Sequence, residues 1–338
     1  MYQSIRPLLF KLDPERAHNL TLRLIGWAGM FPPTYRLLRA MYEVNDPRLE
    51  VEAFGLKFKN PIGLAAGYDK NGVAIKGLSS LGFGYIEVGT VTRHKQIGNP
   101  KPRVHRIVES RALINSMGFP NDGIDALRIV RGDAKVGINI GKSKDTPIEN
   151  AAEDYCALFG QVYREADYVV INVSSPNTLN LRQLQAREMI ESLLKAVTDI
   201  RNHLSPPKVP LLVKIAPDLS EAEIDDVLGA ISLTGIDGIV ATNTTIGRDG
   251  IPAIHHALKG GLSGMPLRSR STEVIRAIAR CTMGRLPIIG VGGIANATDA
   301  IEKLDAGATL IQVYTGLIYA GPGLVKQINR ALLLRHAQ

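Results

Sequence analysis

Eight short apolar runs recur along this 338-residue chain, and they limit its fold more than any other feature. They are Pro61–Gly67, Tyr85–Thr90, Val136–Gly141, Tyr168–Ser175, Leu211–Pro217, Gly238–Thr244, Pro287–Ile294 and Leu310–Gly316. Each is rich in Val and Ile and lacks clean polar alternation, the pattern of strands buried on both faces. Helix-compatible stretches separate them, among them Ala186–Arg201 and the segment opened by the capping box Ser220-Glu-Ala-Glu223. Strand and helix alternating to eight predict an α/β fold, the (β/α)8 TIM barrel. Such a barrel takes about 250 residues and leaves roughly 90 over. Most of these precede the first barrel strand, and a long insertion follows the second.

The chain divides on this reading into an N-terminal helical extension, 1–45, and a barrel, 46–338. Asp13-Pro14 has the form of an N-cap followed by proline at the first helical position. Ala17, Leu20, Leu24 and Ala28 then share one helical face, with Trp27 beside it. Phe31-Pro32-Pro33 breaks the helix, and Thr34 can cap a second one carrying Leu37, Leu38, Met41 and Tyr42. Arg6, Lys11, Arg16, Arg23, Arg36 and Arg39 make the hairpin basic as well as amphipathic, and it is too short to span a bilayer. Two readings stay open: the helices pack on the barrel, or they lie in a membrane interface. In the second, a fully buried Leu or Trp contributes about 1.5–3 kcal/mol. A basic residue beside anionic lipid adds only about 1 kcal/mol. Apolar insertion then drives attachment and the arginines orient it. A hairpin from Leu49–Phe54 through Gly55 to Lys57–Lys59 is expected to close the barrel bottom.

Charge and cysteine content narrow the function classes. The net charge of +8 permits nucleic acid, anionic lipid or anionic small molecules. Aromatic residues make up only 5% and no long Lys/Arg block occurs, so nucleic acid is not expected as a partner. Cys156 and Cys281 are far apart, both in helical stretches, which argues against a disulfide scaffold or a cysteine zinc site. No H-E-x-x-H or G-x-S-x-G pattern is present, and His255-His256 reads as a solvated loop pair. No metal is expected.

Chemistry in such a barrel sits at the C-terminal ends of the strands. Converging there are Lys70, Asn139, Asn172, Ser175, Asn177, Lys214, Thr242, Asn243 and Thr244. Burying two lysines and several amides on one rim without partners would be costly, so together they point to a ligand. Gly290-Val291-Gly292-Gly293-Ile294-Ala295 also fits G-x-G-x-x-A. It lies too near the C-terminus for a dinucleotide unit to follow and reads as a phosphate cup for a mononucleotide. Lys214, interior to a strand, suits a flavin, whose reduced ring carries negative charge at its N1/O2 edge. Asn139, Asn172 and Thr242 can read the ring's pyrimidine edge. Asn115-Ser116-Met117-Gly118-Phe119, with Asn172, Asn177, Asn243 and Thr244, offers amide groups to a small, flat, polar substrate, and Lys70 offers a cation.

These residues resemble the dihydroorotate dehydrogenases, in their membrane-associated, quinone-dependent class (class 2). The likeness runs through Asp13–His18, Asn60–Gly67, Asn115–Phe119, Gly137–Lys142, Ile171–Thr178, Val213–Ser220, Ala241–Thr245, Gly260–Leu267, Leu286–Ile294 and Tyr314–Gly316. It implies FMN held by Ala66, Gly67, Tyr68, Asp69, Lys70, Thr90, Asn139, Asn172, Lys214, Thr242, Gly264, Gly293, Tyr314 and Thr315. It implies dihydroorotate, the source of orotate, held by Lys70, Asn115 to Phe119, Asn172, Asn177, Asn243 and Thr244. Ser175 stands where this class has its catalytic base; the soluble class has cysteine there. Thr178 and Phe119 are expected to shape a proton exit. A membrane quinone would enter through the N-terminal helices, with His18, Arg106 and Tyr314 at its inner end. Implied too is peripheral contact with anionic lipid on the cytoplasmic side of the cell membrane. Tyr68, Ser116 and His105 depart from the family pattern, and His105 is expected to alter the quinone channel.

Two rivals predict other features. A flavin barrel reducing uracil in tRNA would carry a catalytic cysteine on a barrel loop and an RNA-binding domain. A catalytically silent membrane scaffold would leave Ser175, Lys70 and Lys214 unexplained.

Overall fold

Each of the eight apolar runs forms a strand in the computed structural model, which describes residues 2–336. Met1, Ala337 and Gln338, at the outer ends of the two expected segments, lie outside the described residues. Helices α1 (Tyr2–Lys11), α2 (Pro14–Met30) and α3 (Pro32–Tyr42) lead into the hairpin β1 (Val51–Ala53) and β2 (Leu56–Phe58). Then come β3 (Ile62–Leu64), α4 (Ile75–Ser79), β4 (Tyr85–Val91), a second hairpin β5 (Val104–Ile107) and β6 (Ala112–Asn115), and β7 (Lys135–Ile140). After these follow α5 (Ala151–Val162), β8 (Tyr168–Asn172), α6 (Arg187–His203), β9 (Leu211–Ile215), α7 (Glu221–Thr234) and β10 (Gly238–Ala241). The chain ends with β11 (Gly261–Gly264), α8 (Arg268–Cys281), β12 (Ile288–Val291), α9 (Ala297–Asp305), β13 (Leu310–Val313), α10 (Thr315–Ala320) and α11 (Leu324–His336).

Strands β3, β4, β7, β8, β9, β10, β12 and β13 pair in that order, all parallel, and β13 closes onto β3. Most strands stop short of the C-terminal end of their apolar run, because the last residues leave the ladder to build the rim loops. The strict two-residue period of a strand sorts side chains between two cores. On β8, Val169 and Ile171 join the layer under the helices, whereas Tyr168 and Val170 point inward with Leu212 and Val240. Tyr85 and Tyr168 fill the bottom of the barrel, where Phe58 and Ala53 of the β1–β2 hairpin plug it. Gly137 makes this possible, since a Cβ there would run into the Tyr168 ring. The expected bottom closure is therefore present.

Between β4 and β7 the repeat is broken. Instead of an α-helix the connection carries β5 and β6, and β11, from the segment after β10, adds to them as a three-stranded antiparallel sheet. This sheet stands over the barrel mouth on the side of α2, and it supplies side chains to both cavities described below.

Asp13 caps α2 as expected, accepting from the N–H groups of Glu15 and Arg16. Thr34 does not cap α3: its hydroxyl donates back to the carbonyls of Ala28 and Phe31, and prolines already occupy the first turn. Helix α1 has no counterpart in the pattern reading, Pro7 within it obscuring the signal. The apolar face read for α2 is divided between core and surface. Ala17 is buried, but Leu20, Leu24 and Trp27 are 45%, 56% and 65% exposed. The face that packs on α4 is built from Leu22, Gly26 and Gly29, because the two helices approach too closely for larger side chains. Met30, Phe31 and Leu37 extend the exposed apolar surface. Of the basic residues, Arg39 is spent on Glu43 and Asp133 and Arg6 on the Tyr319 carbonyl, leaving Lys11, Arg16, Arg23 and Arg36 exposed. No helix among those described is long and apolar enough to cross a membrane.

Candidate active site

The inward-facing residues become polar toward the C-terminal ends of the strands. Above Tyr168 and Val170 on β8 comes Asn172, and in register beside it on β9 comes Lys214. Asn172 Nδ2 donates to Thr90 Oγ1 (2.9 Å) and Asn139 Oδ1 (3.0 Å), while Thr90 Oγ1 donates to the same Asn139 oxygen. Asn139 in turn donates to Glu87 Oε1 at 2.8 Å. Buried amides in such a chain have fixed orientations, because a flip would set acceptor against acceptor or donor against donor.

Over this layer lies a cavity of about 160 Å³. Ala66, Gly67, Lys70, Thr90, Asn115, Met117, Gly118, Phe119, Asn172, Ser175 and Asn177 line it, as do Lys214, Thr242, Asn243, Thr244, Gly264, Gly293, Tyr314 and Thr315. Four expected site residues do not. Asp69 turns into its own loop and accepts from the Val73 and Ala74 N–H groups. Asn139 lies one layer deeper, holding Thr90 and Asn172 in place. The Ser116 backbone is tied to Arg103 and Asn99, which keeps its side chain off the cavity wall. Tyr68 belongs to a second cavity. The lining residues that sequence reading passed over, Val104, Leu113 and Ser263, sit on β5, β6 and β11, strands hidden inside insertions. Gln312 was visible as the one amide in the Leu310–Gly316 run.

Three loops are laced over the cavity. Asn177 Nδ2 donates to the Asn115 carbonyl and side chain at 3.0 and 3.1 Å, and Asn99 Nδ2 bridges the carbonyls of Ser116 and Asn177. Asn243 Nδ2 donates to Ser174 Oγ at 3.0 Å. Ser175, buried, accepts from the Asn177 N–H at 3.3 Å. Thr178 is buried too, its hydroxyl without a protein partner. Lys70 Nζ donates to the Gly67 carbonyl at 2.6 Å; burial pulls its pKa down to about 8. Lys214 is also shifted down by burial, against the opposing charge of Glu87.

At the far side, Gly292 and Gly293 follow β12 and Thr315 opens the short α10. A Cβ on Gly293 would collide with the Arg268 backbone, so the loop presents bare backbone to the cavity. Loops after the seventh and eighth strands with a short extra helix are the usual phosphate cradle of a barrel.

The second cavity, about 330 Å³, opens among α1, α2 and α3 and is walled mainly by apolar side chains, including Phe10, Leu24, Ile25, Leu38 and Leu317. His18, Arg106 and Tyr314 all line it. Burial, with the nearby Lys70 charge, lowers the His18 pKa to about 3, so its imidazole is neutral. Arg106 lies 4.7 Å over the Phe10 ring and donates to the carbonyls of Phe10 and Leu12. The rings of His18, Tyr68 and Tyr314 meet edge to face, at 5.0 and 5.6 Å. His105 does not reach the channel: Val104 and Arg106 face it, and strand alternation turns His105 away. Lys70, Val104, Leu113, Met117 and Tyr314 line both cavities, so one thin wall separates them. Outside both, the half-buried His255 pairs with Glu109 at 3.0 Å and the exposed His256 with the Ile251 carbonyl, in the solvent-facing segment expected for them.

Comparison with known proteins agrees with this arrangement. The family model described as dihydroorotate dehydrogenase matches residues 48–335. A dihydroorotate dehydrogenase (quinone) of Christiangramia forsetii is 50% identical over 98% of this chain and 99% of its own. One of Stutzerimonas stutzeri is 49% identical over 100% of this chain and 99% of its own. Among solved structures, the Eimeria tenella enzyme in complex with ferulenol superposes with a TM-score of 0.88 at 36% identity, covering 98% of this chain and 95% of that one.

Proposed function

The chain belongs to the dihydroorotate dehydrogenase family, in its quinone-dependent class, and we propose that it oxidises (S)-dihydroorotate to orotate with FMN in the first cavity and a membrane quinone in the second. The reaction is then a step of de novo pyrimidine (UMP) biosynthesis. One observation carries the proposal: a polar, two-lysine cavity and an apolar channel share the wall of Lys70, Val104, Leu113, Met117 and Tyr314.

The residues present fit FMN. Gly292 and Gly293 line the cavity with backbone alone, which a phosphate can approach closely, and Lys214 brings a buried ammonium to the cavity wall. Asn172, Thr90 and Thr242 set amide and hydroxyl groups beside it. FMN, when bound, supplies a hydride acceptor for the substrate and an electron donor for the quinone.

The chain's own groups supply the rest. Asn115, Asn177, Asn243 and Thr244 hold the substrate's flat polar edge, and the loops they belong to are already laced together. Lys70 faces its carboxylate and the negative charge that develops when C5 is deprotonated. Ser175 Oγ takes that C5 proton. A hydroxyl is a weak base, so this step depends on exclusion of water and on the cationic field of Lys70. Thr178, buried near it in sequence and free of partners, with Phe119 on the cavity wall, forms the first part of a proton exit. In the channel, the neutral His18 imidazole and the Arg106 guanidinium present hydrogen-bonding groups to a quinone head group.

The exposed apolar surface of α2 and α3 supports docking in the cytoplasmic face of the cell membrane. Several side chains there can each contribute about 1.5–3 kcal/mol on full burial. Lys11, Arg16, Arg23 and Arg36 orient the surface toward anionic lipid.

The deciding experiment is anaerobic mixing of the purified protein with dihydroorotate. The yellow absorbance should bleach and return when a quinone is added. Protein without flavin absorbance, or flavin that dihydroorotate leaves oxidised, overturns the reading.

A further inference from the structure

The barrel interior holds a carboxylate that the mechanism above does not use. Glu87 on β4 is fully buried, one layer beneath the cavity that Lys214 lines. Its Oε1 accepts from Asn139 Nδ2 at 2.8 Å, its Oε2 accepts from Gln312 Nε2 at 2.6 Å, and Lys214 Nζ lies 3.9 Å from Oε1. A carboxylate placed this deep is retained only where another charge compensates it, and the same holds for the ammonium. Among the described residues, the titratable groups around the Glu87–Lys214 pair are few. Glu87 and Tyr85 come from β4, Tyr168 from β8, and Lys70 stands on the rim of the same cavity. Burial pushes both tyrosine hydroxyls well above their ordinary range, so they are neutral, and the other partners of Glu87, Asn139 and Gln312, carry no charge. Glu87 is the anion left to balance Lys214.

We propose that Glu87 is the fixed counter-charge that keeps Lys214 an ammonium inside the barrel, and through Lys214 sets how the cofactor's reduction potential responds to pH. This inference rests on the flavin reading above. Glu87 is a positioning residue, since it lies below the cavity and does not line it. The physical reasoning is a charge count. With Glu87 present, the pair is neutral and Lys214 stays charged whether the cofactor is oxidised or reduced. Without Glu87, burial favours the neutral amine until negative charge appears beside it on reduction, and Lys214 then takes up a proton.

The test uses the holoenzyme, with released flavin identified by its absorbance and mass, and reduction potentials measured between about pH 6 and pH 8 by equilibration with redox dyes. For the wild type, the two-electron equilibrium should shift about tenfold per pH unit, or about 30 mV. A shift of about a hundredfold per unit, twice that slope, means that a second proton arrives with the electrons and overturns the proposal. Glu87→Gln should steepen the slope toward that doubled value, and Glu87→Asp, which keeps the charge, should track the wild type. Gln312, whose Oε1 has no protein partner, can turn its amide to receive a glutamine at 87. Should Glu87→Gln yield no flavin-loaded protein, the wild-type and Glu87→Asp slopes decide, a doubled slope in either refuting the idea. Parallel wild-type and Gln lines refute it as well. Wild-type protein that releases no flavin sinks the cofactor reading, whereas flavin with coincident slopes sinks this inference alone.

Discussion

Lys70 makes the proposed chemistry testable by pH alone. Its ammonium, part-buried, donates to the Gly67 carbonyl, and desolvation holds its pKa at about 8, well under the ordinary lysine value. The protonated form is the one that can face a carboxylate and a developing negative charge, so activity should be lost as pH rises through the folded value. With a pKa of about 8, roughly nine-tenths of Lys70 is charged at pH 7 and roughly one-tenth at pH 9. The kcat/KM for dihydroorotate in the flavin-reduction half-reaction should therefore fall about tenfold over that interval. Stopped-flow bleaching without quinone isolates this step from the channel, where His18 has already lost its charge below pH 5. Lys70→Arg keeps a cation that does not titrate in this range, and its profile should be flat to pH 9 whatever its absolute rate. A wild-type profile that stays level, or a Lys70→Arg profile that falls in parallel, would show that some other group governs binding.

Other changes probe the base, the membrane face and the barrel bottom. Ser175→Ala should lower dihydroorotate oxidation by about 10²- to 10⁴-fold while flavin stays bound; undiminished turnover refutes the assigned base. Replacing Leu24 and Trp27 together by Glu removes two exposed apolar side chains. It should weaken sedimentation with anionic vesicles by about tenfold or more, while flavin reduction by substrate persists. Equal loss of both would place these residues in the catalytic fold instead. Gly137→Ala drives a methyl into the Tyr168 ring and should cost about 1–3 kcal/mol in chemical denaturation. An unchanged midpoint would mean that the barrel bottom is looser than its packing indicates.

Much of this protein is determined locally, and that part was legible in its sequence. A strand buried on both faces must be a continuous apolar run, so the eight barrel strands announce themselves. Asp13 before Pro14 and Ser220 before Glu223 act within one helical turn, and both caps are present. Among the polar residues that interrupt or end the runs, Asn172, Lys214 and Thr242 line the mouth of the closed barrel, where the reading set them.

Tertiary structure decided the rest, wherever the partner is distant in sequence. Leu20 and Leu24 share a helical face with Ala17, yet α2 packs through Leu22 and Gly29, since α4 offers only a shallow, close-approach surface. The sheet that carries Val104 and Leu113 of the wall between the cavities is completed by β11, which pairs with β6 from well over a hundred residues away, a pairing invisible to any local window. Asp69 and Asn139 are polar residues on the expected rim, but backbone N–H groups claim the first, and Glu87, Asn172 and Thr90 claim the second. A glutamate inside Tyr85–Thr90 looks like a blemish in an apolar run until strand closure brings Lys214 to 3.9 Å. Periodicity reports which side of an element a residue takes; only the closed barrel determines what it meets there.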